Sequence, residues 1–271
     1  MNCGTKYPIV LVHGTGVRDA KRMNYWGRIP AALEQNGARV FYGEQDSWGS
    51  VAHNAEVLKE NVNRILAETG SEKVNLIAHS KGGLDARYMI SSLGMAGKAA
   101  SLTTIATPHH GSKTMDRLCK LPKGFYKAVS FFIDGFSRAV GDKEPDFFTV
   151  VHQFSTEHMK QFNRQNPDAP SVYYQSYTAV MKSPLSDALM WWQNLIIGLV
   201  EGENDGLVTV ASARWTNFRG VLRGKSRRGI SHLDETDLRR MNFSRKANQD
   251  ELCDIREFYV KLAAELKEMG L

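Results

Sequence analysis

The sequence predicts an α/β fold built on a doubly wound, mostly parallel sheet, and three features of the chain carry this prediction. Short apolar, β-branched runs recur, helix-like stretches lie between them, and the first run leads into a glycine-containing loop. Buried strands that alternate with helices imply parallel crossover connections. We expect one domain over residues 1–271, because α/β folds of this length commonly bury a single large core.

The strand-like runs are short and rich in valine, isoleucine and aromatic residues, which is typical of strands buried on both faces. They are Tyr7–His13, Ala38–Tyr42, Val74–Ala78, Leu102–Ala106 and Val172–Thr178. The helix-like stretches are Trp26–Asn36, Ala52–Thr69, Gly83–Leu93 and, from its amphipathic pattern, Asp250–Met269. The alternation stops at about residues 112–160, where we expect an inserted helical segment.

Ser80 lies where an apolar run meets a helix-like stretch, in VNLIAHSKGG. Small residues around such a serine let strand and helix pack closely at a sharp turn, which exposes the hydroxyl at a helix N-terminus. This is the context of a nucleophile elbow, although Ala78 stands where the usual motif has its first glycine. A serine that only caps the helix is the alternative.

A glycine-rich loop, His13–Gly16, follows the first predicted strand. It can present the backbone N–H of Thr15 toward Ser80, and together with the N–H of Lys81 this would form an oxyanion hole. A purely structural turn is the other interpretation. A dinucleotide-binding loop is disfavoured because the three-glycine fingerprint is absent.

A serine hydroxyl needs a base to become a good nucleophile, and in α/β-hydrolases the acid and then the histidine follow the serine along the chain. Asp205 in GENDGLV and His232 in GISHLDE satisfy that order. Four other histidines follow Ser80 but precede the good acid candidates, which disfavours them as the base. They are His109, His110, His152 and His158.

Composition argues against several classes of protein. The apolar runs are too short to cross a bilayer, and three scattered cysteines give neither a disulfide framework nor a zinc site. The net charge of +6 owes much to ten arginines and lysines between residues 214 and 246. Without a nucleic-acid motif we expect a solvated basic face, with attraction to anionic lipid as the alternative. No secretory signal is recognised, so we expect a cytoplasmic protein, or one secreted with its signal removed or by a signal-independent exporter.

The motifs occur in the order seen in bacterial lipases. The chain resembles the true lipases of the Pseudomonas and Proteus kind, family I of the bacterial lipolytic enzymes, through YPIVLVHG, YWGRIPAAL, VNLIAHSKGG, TPHHGS, NDGLV and HLDE. The resemblance implies an α/β-hydrolase that cleaves triacylglycerols and related esters at a lipid–water interface without an organic cofactor. It matches the triad to Ser80, Asp205 and His232 and the oxyanion donors to Thr15 and Lys81.

Two features depart from the Pseudomonas type. Its disulfide is absent, because small residues other than cysteine occupy the region of Ala211. The segment before Asn204 is shorter and rich in tryptophan and leucine. Substrate preference therefore does not carry over from the resemblance.

The inserted segment is expected to act as a lid. Four phenylalanines are its candidates for covering the serine in water and turning toward lipid: Phe125, Phe131, Phe132 and Phe136. Packing inside the inserted helices is the alternative, since clustered aromatic residues usually form core.

The resemblance also implies a structural calcium ion beside the catalytic histidine. Its ligands would be Asp187, Asp234 and the backbone carbonyls of Leu238 and Asn242. Calcium prefers oxygen ligands of these kinds. Against this, Asp234 can serve as a helix cap, and Arg239 and Arg240 would repel a cation.

Two other functions stay open at this point. A short-chain carboxylesterase or polyester hydrolase would use the same residues on a different substrate. A non-catalytic binding protein on a hydrolase fold would usually have lost a member of the triad, and all three are present.

Overall fold

The computed structural model describes residues 2–19, 24–120, 122–224, 228–242 and 252–271. The side chains at positions 123, 125 and 126 are also outside this description. Phe125 as a lid residue, and the part of the basic region at 225–227 and 243–251, therefore lie outside the described residues.

Six parallel strands form one sheet in the order β2-β1-β3-β4-β5-β6. They are β1 (Ile9–Val12), β2 (Val40–Tyr42), β3 (Val74–His79), β4 (Ala99–Ile105), β5 (Tyr173–Ala179) and β6 (Phe218–Leu222). The predicted parallel, doubly wound sheet is confirmed. β6 was not predicted, because FRGVL is short and interrupted by arginine and glycine.

Ten α-helices connect and flank the described strands. They are α1 (Ile29–Gln35), α2 (Val51–Thr69), α3 (Gly82–Ser91), α4 (Lys113–Leu118), α5 (Lys123–Ala139), α6 (Phe147–Gln153), α7 (Thr156–Gln165), α8 (Trp191–Glu201), α9 (Val210–Ala213) and α10 (Ile255–Glu268). The chain between β4 and β5 contains α4 to α7. α8 was not expected from the sequence. No described helix combines the length and apolar character needed to cross a membrane.

The core lies in two layers, one on each face of the sheet. Alternate residues of β1 enter different layers, because successive side chains of a strand point to opposite faces. Ile9 and Leu11 pack with α1 and α10, whereas Val10 and Val12 pack with α2 and α3. Both layers pack against β3. The loops at the carboxyl ends of the parallel strands meet at one edge of the sheet, where ligand sites of open α/β sheets form.

Candidate active site

Ser80 lies at the turn between β3 and α3 in a conformation that few residues adopt. Its φ angle is +54°, in the left-handed region that costs a non-glycine residue about 1–2 kcal/mol. The surroundings hold the turn in place. The Ser80 N–H donates to Ile105 O at 2.9 Å, and Ser80 O accepts from Gly83 N at 3.1 Å and from Thr107 Oγ1 at 2.7 Å. Strain retained by such bonds is typical of functional positions.

Close backbone approach explains the glycines around the turn. A Cβ atom on Gly14 would lie 2.7 Å from Ser80 Cβ and 2.7 Å from the Tyr25 hydroxyl, so only glycine fits beside the serine. Gly83 packs directly against the side chain of Thr107. Ala78, which replaces the usual first glycine, is fully buried in the layer beneath α2 and α3. Its methyl group is accommodated because that position faces the core.

Asp205 and His232 are joined twice. His232 Nδ1 lies 2.8 Å from Asp205 Oδ2, and the His232 N–H donates to Asp205 O at 2.8 Å. The other carboxylate oxygen, Oδ1, accepts from the N–H groups of Leu207 and Val208, both at 2.8 Å. The turn-forming sequence therefore fixes the carboxylate. The imidazole of His232 lies 4.4 Å, centroid to centroid, from that of His79, the residue before Ser80.

The two expected oxyanion donors, Thr15 and Lys81, lie on the two chain segments that meet at Ser80. Thr15 follows Gly14, which contacts Ser80, and Lys81 is the N-cap residue of α3. Within the described part of the chain, neither backbone N–H donates a hydrogen bond to protein. An oxyanion hole at a helix N-terminus, where the helix dipole favours negative charge, needs donors that are unused in this way.

The side chain of Lys81 is not part of the expected oxyanion hole and forms a buried ion pair. Lys81 Nζ lies 2.7 Å from Asp85 Oδ1 and 2.9 Å from Oδ2, and both side chains are 1% exposed. Asn54 Nδ2 donates to the same carboxylate at 3.1 Å. Burial lowers the pKa of Lys81 and raises the pKa of Asp85. The pair ties the first turn of α3, which carries the Lys81 N–H, to α2.

Sequence reasoning missed a buried chain of hydrogen bonds beside the candidate triad. The Tyr25 hydroxyl lies 2.7 Å from His79 Nδ1, and His79 Nε2 lies 2.8 Å from Glu235 Oε2. Burial, and then the charge of His232, lower the pKa of His79 well below its ordinary value. Burial, and then the charge of Asp205, raise the pKa of Glu235 well above its ordinary value. Both shifts favour the uncharged form of each side chain.

His79, His232 and Glu235 place ligand-type atoms within 4.8 Å of one another. The cluster does not suit a metal ion, because His79 has no nitrogen left to bind one. Both nitrogens of His79 are bound, and His232 Nδ1 is held by Asp205. His79 and Glu235 pack beside the His232 imidazole, with Glu235 Oε2 3.8 Å from His232 Nδ1.

One competing histidine is committed elsewhere. His109 Nδ1 accepts from Arg87 Nη1 at 3.2 Å, and His109 Nε2 lies 3.0 Å from Thr104 Oγ1. Its ring stacks on Trp215 with the centroids 5.1 Å apart. Burial, and then the charge of Arg87, lower the pKa of His109 well below its ordinary value.

The residues expected to hold calcium do not fit that ion. Asp187 and Asp234 do approach each other, but the guanidinium group of Arg239 lies between them and pairs with both. The backbone N–H of Leu238 donates to Leu233 O at 3.2 Å, and the ligand roles of the Leu238 and Asn242 backbone carbonyls stay predictions. Asp234 does not cap a helix either, because residues 232–239 form turns and no helix, and its Oδ2 accepts from Ser231 N and Oγ.

The described lid candidates face solvent and do not cover Ser80. Phe131, Phe132 and Phe136 are 74%, 74% and 69% exposed, so neither covering of the serine nor burial in a core describes them here. Ser80 itself is only 7% exposed. A second apolar surface, which sequence reasoning missed, lies on and before α8. Its exposed residues are Leu185, Leu189, Trp191, Trp192, Leu195, Ile196 and Leu199.

Comparison with protein families decides the relationship of this chain. The model of the family described as palmitoyl protein thioesterase matches residues 8–194. That range contains the elbow, the glycine-rich loop and the inserted helices. The chain belongs to this family.

Curated relatives of the chain are lipases. Triacylglycerol lipase 2 of Saccharomyces cerevisiae is 29% identical over 92% of this chain and 74% of its own length. A triacylglycerol lipase of Vibrio cholerae is 32% identical over 85% of this chain and 80% of its own length. Lipases of Pseudarthrobacter phenanthrenivorans and Burkholderia plantarii match over only 55% and 49% of their lengths.

Solved structures establish the fold. Staphylococcus hyicus lipase superposes with a TM-score of 0.72 over 98% of this chain and 96% of its own, at 17% identity. Bacillus licheniformis lipase in its mature form gives 0.64 over 84% and 86%, at 23% identity. The predicted α/β-hydrolase fold is confirmed. With the lipase relatives, the expected reaction class is confirmed too: the chain is a carboxylic-ester hydrolase of the lipase and esterase class.

Proposed function

We propose that this chain is a triacylglycerol lipase of the Pseudomonas and Proteus kind that works through an acyl-enzyme on Ser80. The observation that carries the proposal is the doubly bonded Asp205–His232 pair beside the strained turn of Ser80. A serine held at a helix N-terminus next to an oriented imidazole is the arrangement that activates a hydroxyl nucleophile.

In the first half of the reaction, Ser80 Oγ bonds to the ester carbonyl carbon while its proton passes to His232 Nε2. Asp205 holds Nδ1–H and so fixes the tautomer that leaves Nε2 as the acceptor. The N–H groups of Thr15 and Lys81 stabilise the oxyanion. When the tetrahedral intermediate collapses, the carbon–oxygen bond to the alcohol breaks, and His232 returns its proton to the leaving oxygen.

In the second half, a water molecule attacks the acyl-enzyme and gives a proton to His232. The bond to Ser80 Oγ breaks, the fatty acid leaves, and the proton returns to the serine. No net oxidation or reduction occurs, so the chain needs only water as co-reactant.

A lipid surface as the place of action is supported by the exposed apolar faces of α5 and α8. Phe131, Phe132 and Phe136 on one helix, and Trp192, Leu195 and Leu199 on the other, leave large apolar side chains in water. Exposed apolar patches of this kind mark membrane, lipid or protein contact sites. Because the phenylalanines of α5 face solvent, we propose that α5 is a lid that moves when these side chains enter lipid.

A second candidate substrate, a fatty acyl thioester, is favoured by the family to which the chain belongs. The same serine and oxyanion hole can cleave a thioester, because the attacked carbonyl is equivalent. A short-chain carboxylesterase or polyester hydrolase is a further alternative on this site.

The test compares initial rates on a series of p-nitrophenyl esters of increasing acyl length, emulsified triolein and palmitoyl-coenzyme A. The proposal expects a rise in rate when triolein forms an interface, and no turnover by Ser80→Ala on any substrate. A preference for soluble acetyl or butyryl esters without activity on triolein would support the esterase alternative. Palmitoyl thioester turnover that exceeds triolein turnover would support the thioesterase alternative.

A further inference from the structure

Arg239, in the turn after His232, contacts both acidic residues that the resemblance assigns to calcium. Arg239 Nη2 lies 2.7 Å from Asp234 Oδ1 and 3.0 Å from Asp187 Oδ2. One nitrogen atom is thus within ion-pair distance of two carboxylates that are 47 residues apart in sequence (234 − 187). A cation that bridges Asp187 and Asp234 would have to occupy this same place.

Three of the four carboxylate oxygens accept hydrogen bonds. Asp234 Oδ1 also accepts from Arg239 Nε at 3.2 Å, and Asp234 Oδ2 accepts from Ser231 N at 3.2 Å and Ser231 Oγ at 3.0 Å. Asp187 Oδ1 accepts from Leu189 N at 2.9 Å. Calcium takes 6–8 oxygen ligands at about 2.3–2.6 Å, whereas these two residues leave only Asp187 Oδ2 without a hydrogen bond, and that oxygen lies 3.0 Å from Arg239 Nη2.

Charge leads to the same conclusion. Asp187 is fully buried and its Oδ2 lacks a hydrogen bond, so Arg239 neutralises it through charge alone. An unpaired carboxylate buried in this way is strongly unfavourable. A calcium ion added beside the guanidinium would be repelled by it at a few ångströms, in a region where water screens poorly.

We propose that Arg239 is a built-in cation that replaces calcium in this chain and positions His232. Its Nη2 atom also donates to Ser231 Oγ at 3.3 Å. Arg239 therefore bonds to Ser231, directly before His232, and to Asp234, two residues after it. It also links both residues to Asp187, in the segment that follows β5. The positioning role rests on the function proposed for His232, whereas the replacement of calcium does not.

The experiment compares the wild-type protein, Arg239→Ala and the matched control Arg240→Ala, whose arginine is exposed in the same turn. Each is assayed with chelator and with millimolar calcium chloride for melting temperature, kcat and KM. We expect the wild type and the control to be indifferent to calcium. Arg239→Ala should melt roughly 5–10 °C lower in chelator, with a lower kcat at similar KM, and calcium should restore at least half of both losses.

Three outcomes would overturn the proposal. The first is a wild type that holds a stoichiometric calcium ion by elemental analysis, or that is destabilised by chelator. The second is an Arg239→Ala protein that is as stable as the wild type in chelator. The third is an Arg239→Ala defect that calcium does not reduce. If Arg239→Ala does not fold, Arg239→Gln, which keeps the polar side chain but not the charge, is judged by the same criteria. The melting-temperature measurement does not depend on Ser80 or His232 being catalytic, so failure of the proposed function would leave its result intact.

Discussion

The buried ion pair between Lys81 and Asp85 makes the sharpest stability prediction. Asp85→Asn removes one charge and leaves the ammonium group of Lys81 uncompensated. Both side chains are 1% exposed and Nζ contacts both carboxylate oxygens within 2.9 Å, so solvent offers almost no compensation. Breaking a buried pair by removing one partner costs about 3–5 kcal/mol.

The double variant Lys81→Met, Asp85→Asn removes both charges and keeps an amide oxygen for Asn54 to bond. It should therefore lose less free energy of unfolding than the sum of the single variants, with a coupling of about 2–3 kcal/mol. Urea denaturation of the four proteins measures the cycle. Because only the backbone N–H of Lys81 is proposed for catalysis, any folded variant should keep esterase activity. Single-variant losses below about 1 kcal/mol, or strict additivity, would refute the reasoning.

Three further predictions follow from the same contacts. Asp205→Asn should lower kcat by about 10⁴-fold while circular dichroism stays unchanged, because Asn Oδ1 can still accept from Leu207 and Val208; a ten-fold loss would contradict the role. The imidazole of His109 stays neutral in the folded protein but binds a proton in the unfolded chain below about pH 6.5. Its titration therefore lowers the free energy of unfolding as the pH falls. His109→Gln should lower the slope of unfolding free energy against pH by up to about 1.4 kcal/mol per pH unit below that value, and equal slopes in urea denaturation would disprove this. Phe131→Asp with Phe136→Asp should reduce activity on emulsified triolein but leave soluble-ester activity and melting temperature unchanged, because both side chains are exposed; a fall in stability alone would show a structural role.

Sequence reasoning reached the sheet and the candidate triad because their signals are local. A buried strand that ends in AHSKGG, and an aspartate in NDG, each specify a turn with its own chemistry. The crossover rules of parallel sheets then bring those turns to one edge. Ser80, Asp205 and His232 could therefore be named without knowing any contact between them.

The supporting contacts could not be predicted, because they join residues far apart in the chain. His79 meets Glu235 across 156 positions, and no periodicity or motif encodes that pairing. Arg239 shows the limit most clearly. From the sequence, the charge of Arg239 predicts repulsion of a cation near Asp234. Only the fold shows that Arg239 bridges Asp234 and Asp187.

β6 and α8 escaped prediction for related reasons. The residues of β6 are only partly buried, so their sequence lacks the apolar run that marks an inner strand. The apolar residues of α8 are largely exposed. The apolar residues of α8 therefore do not form a stripe that packs on the rest of the protein. A helix of this kind is recognised only once its solvent-facing side is known.

The central claim is that Ser80 is the nucleophile, and covalent labelling tests it most directly. The protein is treated with a p-nitrophenyl phosphonate, and its mass, its modified peptide and its residual esterase activity are measured, with Ser80→Ala as the control. We expect one phosphonyl group per chain, carried by Ser80, loss of activity in step with labelling, and no labelling of Ser80→Ala. Full activity in a folded Ser80→Ala protein, or a label on another residue that accounts for the loss of activity, would contradict it.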